Sequence, residues 1–247
     1  MTTQEIQNWA FMQSRLSPQE QQARAERLEQ EQEARRAAIR TDMPGELAGC
    51  GAPEHFRHAR LDNCPDLPAA LVQAARQWAQ NPTGFLYLYG RQPGAGKTTV
   101  AVAVLAHALG HGPAWPAEAR FVDERGYLDQ LRRAFDGDGY PPDDDSSAAQ
   151  PESAKLLVFD DLGATRLTDW GKGEVAGLLE NRHAADLPTI ITSNLGPDEL
   201  AQAVDGRVAS RIAESRKLLA FPPRDLRVTG TIGGISNLGK PGNPVAL

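Results

Sequence analysis

The sequence predicts an α/β domain built on a parallel sheet flanked by helices, and three observations predict it. Short apolar runs recur at Phe85 to Tyr89, Phe121-Val122, Leu156 to Phe159, Thr189 to Thr192 and Leu218 to Phe221, with helical patterns between them. The first of these, Phe85-Leu86-Tyr87-Leu88-Tyr89, is unbroken, as in a strand buried on both faces of a parallel sheet. That strand runs through a glycine-rich turn into Val100-Ala101-Val102-Ala103-Val104-Leu105, a helix apolar on most sides.

The 247 residues suffice for one such core domain and a smaller appendage, not for two large domains. Ahead of the core, Glu5 to Leu16 places Ile6, Trp9, Ala10 and Leu16 on one helical face. Ser17-Pro18-Gln19-Glu20 is then a capping box with proline in the first turn, and it opens a run to Arg40 rich in Gln, Glu, Arg and Ala. Glu20 with Arg24 and Glu31 with Arg35 are spaced i,i+4, while Leu28 and Ile39 are almost the only large apolar residues. Such a helix has little to bury and projects, either as a solvated helix or as a docking arm for a partner.

Thr41 to Asp66, rich in Gly, Pro and Asp, reads as a linker that wraps onto the next domain, and Pro68 to Gln80 as a helix leading into the first strand. Asp136 to Ser153, with Asp143-Asp144-Asp145, reads as a flexible loop inserted in the core. The expected division is therefore 1–45 for an amino-terminal helical segment, 46–80 for the linker and helix, 81–228 for the core domain, and 229–247 for a Gly- and Pro-rich tail.

A net charge of −6 and a pI near 5.4 exclude a surface coated in basic residues for tight DNA binding by the lone chain, so any nucleic-acid contact is local or made on assembly. Cys50 and Cys64 lack Cys-x-x-Cys spacing, and although His55 and His58 lie between them, ordinary thiols are expected rather than a metal site. No leader pattern and no membrane-spanning apolar run is present, so a soluble cytoplasmic protein without membrane contact is expected.

The chemistry concentrates after the first strand. Pro93-Gly94-Ala95-Gly96-Lys97-Thr98-Thr99 is a phosphate-binding loop set between strand and helix. Its glycines let successive N–H groups turn toward the phosphates of ATP, Lys97 reaches the β and γ oxygens, and the Thr98 hydroxyl coordinates Mg²⁺. One departure is present: in G-x-x-x-x-G-K-[ST] the first glycine would stand at Arg91, whereas this chain has Gly90, one place earlier. Leu156-Leu157-Val158-Phe159-Asp160-Asp161 brings two carboxylates to the carboxyl edge of a core strand, where ligands of open α/β sheets bind. Asp160 is assigned to Mg²⁺ through its water shell and Asp161 to orienting and polarising the attacking water.

With these motifs placed, residues from about Pro53 to Gly230 resemble the DnaC/IstB group of AAA+ ATPases, and particularly the DnaC-like and DnaI-like replicative helicase loaders. The likeness is carried by Ala59-Arg60-Leu61-Asp62-Asn63, by Tyr127 to Phe135 after the second strand, by Leu162-Gly163-Ala164, and by Leu187-Pro188-Thr189-Ile190-Ile191-Thr192-Ser193-Asn194-Leu195. The last string resembles the sensor 1 strand, which would set Asn194 against the γ-phosphate or the attacking water. Gly206 to Ile212 resembles the arginine-finger segment, implying that Arg211 reaches the nucleotide of a neighbouring subunit in an ATP-dependent self-assembly. Arg207 and Arg216 fit a surface role better. Arg224 to Gly230 resembles the chain end of loaders and implies a sensor 2 arginine, Arg227 first and Arg224 second. The residues beyond Arg227 are too few and too glycine-rich for a full helical lid, as expected of a group with a reduced carboxyl end.

The resemblance implies an ATP-hydrolysing helicase loader that binds the hexameric replicative helicase through its amino-terminal segment and helps place it on single-stranded DNA. The alternative is an IstB-like transposition ATPase assisting a transposase, and a small-molecule kinase ranks well behind both. Arg132 and Arg133 are the candidate DNA contacts, with two solvated arginines facing the acidic insert as the plain alternative.

Overall fold

The computed structural model describes residues 17–64, 66–112, 116–135, 150–215 and 217–226. The segment 5–16, the insert 136–149, Arg216, Arg227 and the tail to 247, with the predicted reduced lid, lie outside the described residues. By its contacts the chain divides into two units, between Asp42 and Met43.

The first unit holds helix α1, Pro18–Thr41. Its capping box forms as the sequence predicts: the Glu20 N–H donates to Ser17 Oγ at 3.3 Å and the Ser17 N–H to Glu20 Oε2 at 2.8 Å. Side-chain bonds along the helix run from Gln22 to Glu26 and from Arg40 to Glu33, and Leu28 stays 49 % exposed.

The second unit is a five-stranded, wholly parallel sheet of order β2-β3-β4-β1-β5. Its elements in chain order are α2 (Met43–Gly49), α3 (Ala69–Gln80), β1 (Phe85–Tyr89), α4 (Lys97–His111), β2 (Ala119–Asp123), α5 (Glu124–Phe135), β3 (Leu156–Leu162), α6 (Asp169–Ala184), β4 (Thr189–Ser193), α7 (Pro197–Ala203), α8 (Gly206–Glu214) and β5 (Leu218–Ala220). Every strand and helix expected in this unit is present. β1, β3 and β4 are buried along nearly their whole length, as strands covered on both faces must be, and α4 buries Val100 through Ala106 beneath them.

One expectation is corrected. The stretch read as a linker contains helix α2, whose Met43 and Leu47 are buried with the neighbouring Cys50. The i,i+4 pair Met43 and Leu47 gives this short helix an inward face that Pro44 and Gly45 conceal in the sequence. The predicted wrapping is nonetheless real, because the Phe121 N–H of β2 donates to the Cys50 carbonyl at 2.7 Å, fastening the segment to the sheet edge.

The sheet order positions the site. β1 lies between β4 and β5, and β3 beside β4, so the turns after β1, β3 and β4 open at one carboxyl edge.

Candidate functional site

The phosphate loop is built by local backbone geometry. Gly94 and Gly96 have φ of +76° and +92°, which side-chain-bearing residues rarely adopt, and Gly96 caps α4. Lys97, buried at 6 % exposure, donates through Nζ to the carbonyls of Gly90 at 2.9 Å and Gln92 at 3.1 Å, so the amine reaches back across the loop that it closes. The displaced first glycine has a steric reason: a Cβ at Gly90 would stand 3.0 Å from Phe221 Cβ and 3.1 Å from its carbonyl oxygen. Arg91, the residue beyond it, faces outward and pairs with Glu199 of α7. Leu226 donates its N–H to the Gly94 carbonyl at 3.0 Å, bringing the end of the described chain onto the loop.

Thr98 and the first acid meet. Thr98 Oγ1 donates to Asp160 at 3.0 Å from Oδ1 and 3.1 Å from Oδ2. Asp160 is 6 % exposed, and burial pushes its carboxyl up to about 6, offset in part by the bond from Thr192 and reinforced by the charge of Asp161. These are oxygen donors at the mouth of a phosphate loop, the set that suits a hard divalent cation such as Mg²⁺.

Asp161 is presented differently from its neighbour. β3 and β4 pair at Phe159 with Ile191 and again at Leu162 with Ser193, so three steps on β3 match two on β4. The extra residue is a bulge at the two acids. It leaves Asp160 inward and Asp161 exposed, at a φ of +57°. Thr192 bridges the pair: its hydroxyl donates to Asp160 Oδ1 at 2.6 Å and accepts the Asp161 N–H at 2.9 Å. Sequence reasoning missed Thr192 as a site residue. The signal was a hydroxyl residue next to the end of a buried strand that it read only for its tip.

Asn194 follows β4 directly and is half-buried. Its surroundings are fixed from both sides: Ser193 Oγ donates to the Leu162 carbonyl at 2.6 Å and accepts the Leu195 N–H at 3.0 Å, and Tyr87 Oη donates to the Leu195 carbonyl at 2.8 Å. Burial pushes the Tyr87 hydroxyl up to about 12, so it stays a donor.

The predicted arginines that lie among the described residues are exposed. Arg211 is exposed on α8, paired with Glu214 at 2.9 Å, and α8 is capped by Asp205, which accepts the Arg207 N–H at 2.7 Å. Arg207 pairs with Glu180 and Asp205, and Arg224 is exposed. Arg132 pairs with Asp129 at 2.9 Å and lies over the Trp170 ring at 5.2 Å from its centre, while Arg133 is exposed. Arg132 lines a cleft of about 280 Å³ shared with Arg125 and Arg166.

The parallel sheet, the phosphate loop after β1 and the acids ending β3 define the AAA+ P-loop class of nucleotide-binding fold. Within it the chain is similar, in sequence and in structure, to the DnaC and DnaI helicase loaders. It is 32 % identical over 116 residues to the replicative helicase loader DnaI of Bacillus subtilis, a match that covers 47 % of this chain and 34 % of that protein. The chain thus spans about a third of the length of the curated relative it matches. A crystal structure of the DnaC helicase loader superposes with a TM-score of 0.58 at 25 % identity, over 69 % of this chain and all of that one. The replication initiator DnaA bound to AMPPCP and single-stranded DNA superposes at 0.52 and 16 % identity, over 66 % of this chain and 49 % of that one, a likeness of fold alone. No protein-family model matches the chain. Among the described residues no helix is long and apolar enough to cross a membrane.

Proposed function

We propose that this chain is an ATP-dependent loader of a hexameric replicative helicase, binding the helicase through its amino-terminal segment and helping deliver it to single-stranded DNA. The observation that carries the reading is a likeness to a helicase loader extending over the whole of that solved chain, on a domain that keeps both phosphate loop and paired acids. The protein would act in the cytoplasm.

In the proposed cycle Lys97 exchanges the carbonyls of Gly90 and Gln92 for the β and γ oxygens of ATP, and the N–H groups of Gly94, Ala95, Gly96 and the α4 start cradle the phosphates, with Pro93, which has no N–H, shaping the loop entry and Thr99 following in the first turn. Thr98 and Asp160 are the residues that would hold Mg²⁺, which when bound neutralises charge on the transferred phosphoryl group. Asp161, carried outward by the bulge, orients and polarises the attacking water; Asn194 hydrogen-bonds that water or the γ-phosphate. Arg211 acts on a neighbouring subunit's nucleotide, so that turnover needs self-association, and Arg227, with Arg224 second, serves as sensor 2. Single-stranded DNA runs past Arg132 and Arg133, where the neighbouring Arg125 and Arg166 supply further positive charge to track a phosphate backbone.

The test is the mass of the complex formed with the replicative helicase of the same host, in ATP and in ADP. It uses the full chain and a chain beginning at Met43, which keeps the buried face of α2. Binding by the full chain alone makes the amino-terminal segment the dock. Binding by neither removes the loader assignment, leaves the ATPase, and turns the search to a transposase.

A further inference from the structure

Glu124, the first residue of α5, is a carboxylate only 2 % exposed that stands outside the nucleotide site. Acids in a first helical turn commonly serve the helix itself, but here that task falls to Asp123, whose Oδ1 accepts the Gly126 N–H at 2.6 Å. The oxygens of Glu124 are spent on a distant segment. Oε2 accepts the Gly163 N–H at 2.6 Å and Oε1 accepts the Thr165 hydroxyl at 3.0 Å.

Those two donors belong to the tight turn by which β3 ends, closed by the Ala164 N–H to the Asp161 carbonyl at 3.0 Å. Asp161 therefore sits at the head of a turn whose other side Glu124 grips. Its φ of +57° is one that a residue other than glycine keeps only when its surroundings impose it. The imposition comes from two places, the Thr192 hydroxyl on its N–H and the Glu124 carboxylate on the 163–165 side of the turn. A buried carboxylate is costly unless hydrogen-bonded, and a neutral side chain would fill this space at less cost. What the carboxylate alone supplies is an acceptor on each of two oxygens.

We infer that Glu124 is a positioning residue for nucleotide hydrolysis: by holding the 161–165 turn at two points it fixes the direction of the Asp161 carboxylate. The inference rests on the proposed ATPase activity.

The experiment measures single-turnover hydrolysis and, separately, ATP affinity in the full-length protein carrying Glu124→Ala, Glu124→Gln or Thr165→Val, each alone and with Asp161→Asn. ATP affinity should hold within about twofold while hydrolysis falls about 10- to 100-fold in Glu124→Ala, the scale of a misplaced reacting group. Glu124→Gln, which keeps one acceptor oxygen, should recover part of the loss, and Thr165→Val should show a smaller one. Added to Asp161→Asn, none of them should cost anything further, because each acts through Asp161. Should Glu124→Ala fail to fold, Thr165→Val carries the same test, since it removes one bond at an exposed residue. Hydrolysis at the unaltered rate in Thr165→Val and in whichever Glu124 variants fold, losses that multiply with Asp161→Asn, or a loss confined to ATP affinity each overturn the inference and leave the ATPase reading intact. An unaltered protein that turns over no more ATP than Lys97→Ala overturns both.

Discussion

Thr192 Oγ1 donates to Asp160 Oδ1 at 2.6 Å, and the same oxygen accepts the N–H of Asp161 at 2.9 Å. One buried hydroxyl thus sets both acids. Thr192→Val keeps the shape, but it takes a donor from Asp160 and leaves the Asp161 N–H without its acceptor. The expected cost is about 1–3 kcal/mol of stability, read as a lower urea midpoint, together with slower hydrolysis. Thr192→Ser should restore both, and a Val variant matching the unaltered protein in both would separate Thr192 from the acids.

The charge on Asp160 works against the fold that holds it. Burial raises its carboxyl from the ordinary 3.8 to about 6, so between those values the folded protein binds more protons than the unfolded chain. Stability attributable to this group is therefore fully present below about pH 4 and is lost as pH rises through about 6. By pH 7.5 the gap of about two pH units corresponds to a penalty of up to about 3 kcal/mol. Asp160→Asn should consequently be more stable than the unaltered protein at pH 7.5, with the difference shrinking toward pH 4.5, while hydrolysis is lost. Urea melts at the two pH values check it, and an equal difference at both would exclude the charge as its cause.

Arg182 carries a full charge into the interior at 0 % exposure. Its guanidinium donates to the carbonyls of Pro151, Ala154 and Pro188 at 2.8 Å each and to Thr189 Oγ1 at 2.9 Å, joining the start of β3 to the start of β4. Burial lowers its pKa to about 10, which keeps it protonated at neutral pH. Arg182→Met leaves several buried acceptors unpaired, and a loss of about 2–4 kcal/mol is expected in urea unfolding. Arg182→Lys, without the planar fork, should recover only part of it.

These residues mark where sequence reading ends. The strands, the phosphate loop and the α1 cap are written in local patterns: apolar runs of two to five residues, glycines ahead of Lys97, Ser17 three places before Glu20. Asp160 followed from its place at the end of such a run. The bulge that separates its direction from that of Asp161 left no mark, because it is a register shift against β4 and β4 is distant in sequence. Asp123-Glu124-Arg125 reads as an exposed helix start and Asn181-Arg182-His183 as the basic last turn of a helix. In each case the middle residue is buried by a partner from another part of the chain, which no periodicity reports. Likewise Pro44 and Gly45 hid α2, whose order comes from Met43 and Leu47 meeting the core.

Arg211 is exposed on α8 and bonded within its own helix to Glu214, and the proposed function sets it against the nucleotide of another subunit. The helix is set by Asp205, whose carboxyl is held below its ordinary value by the Arg207 N–H, and by burial of Val208 and Ile212. Arg211→Ala removes a solvent-facing side chain, and exposed ion pairs contribute little, so stability should stay within about 1 kcal/mol. ATP affinity should also hold, because the binding groups lie on the other side of the proposed interface. Hydrolysis should fall by about 10³-fold or more, the scale of an arginine supplied in trans. Mixing separates this from a local effect. Arg211→Ala subunits keep an intact site and Lys97→Ala subunits keep the arginine, so each preparation is inactive alone while mixed assemblies contain junctions with both. Activity that appears on mixing places Arg211 across the interface. Continued inactivity, with assembly verified by mass, would confine it to the surface of its own subunit.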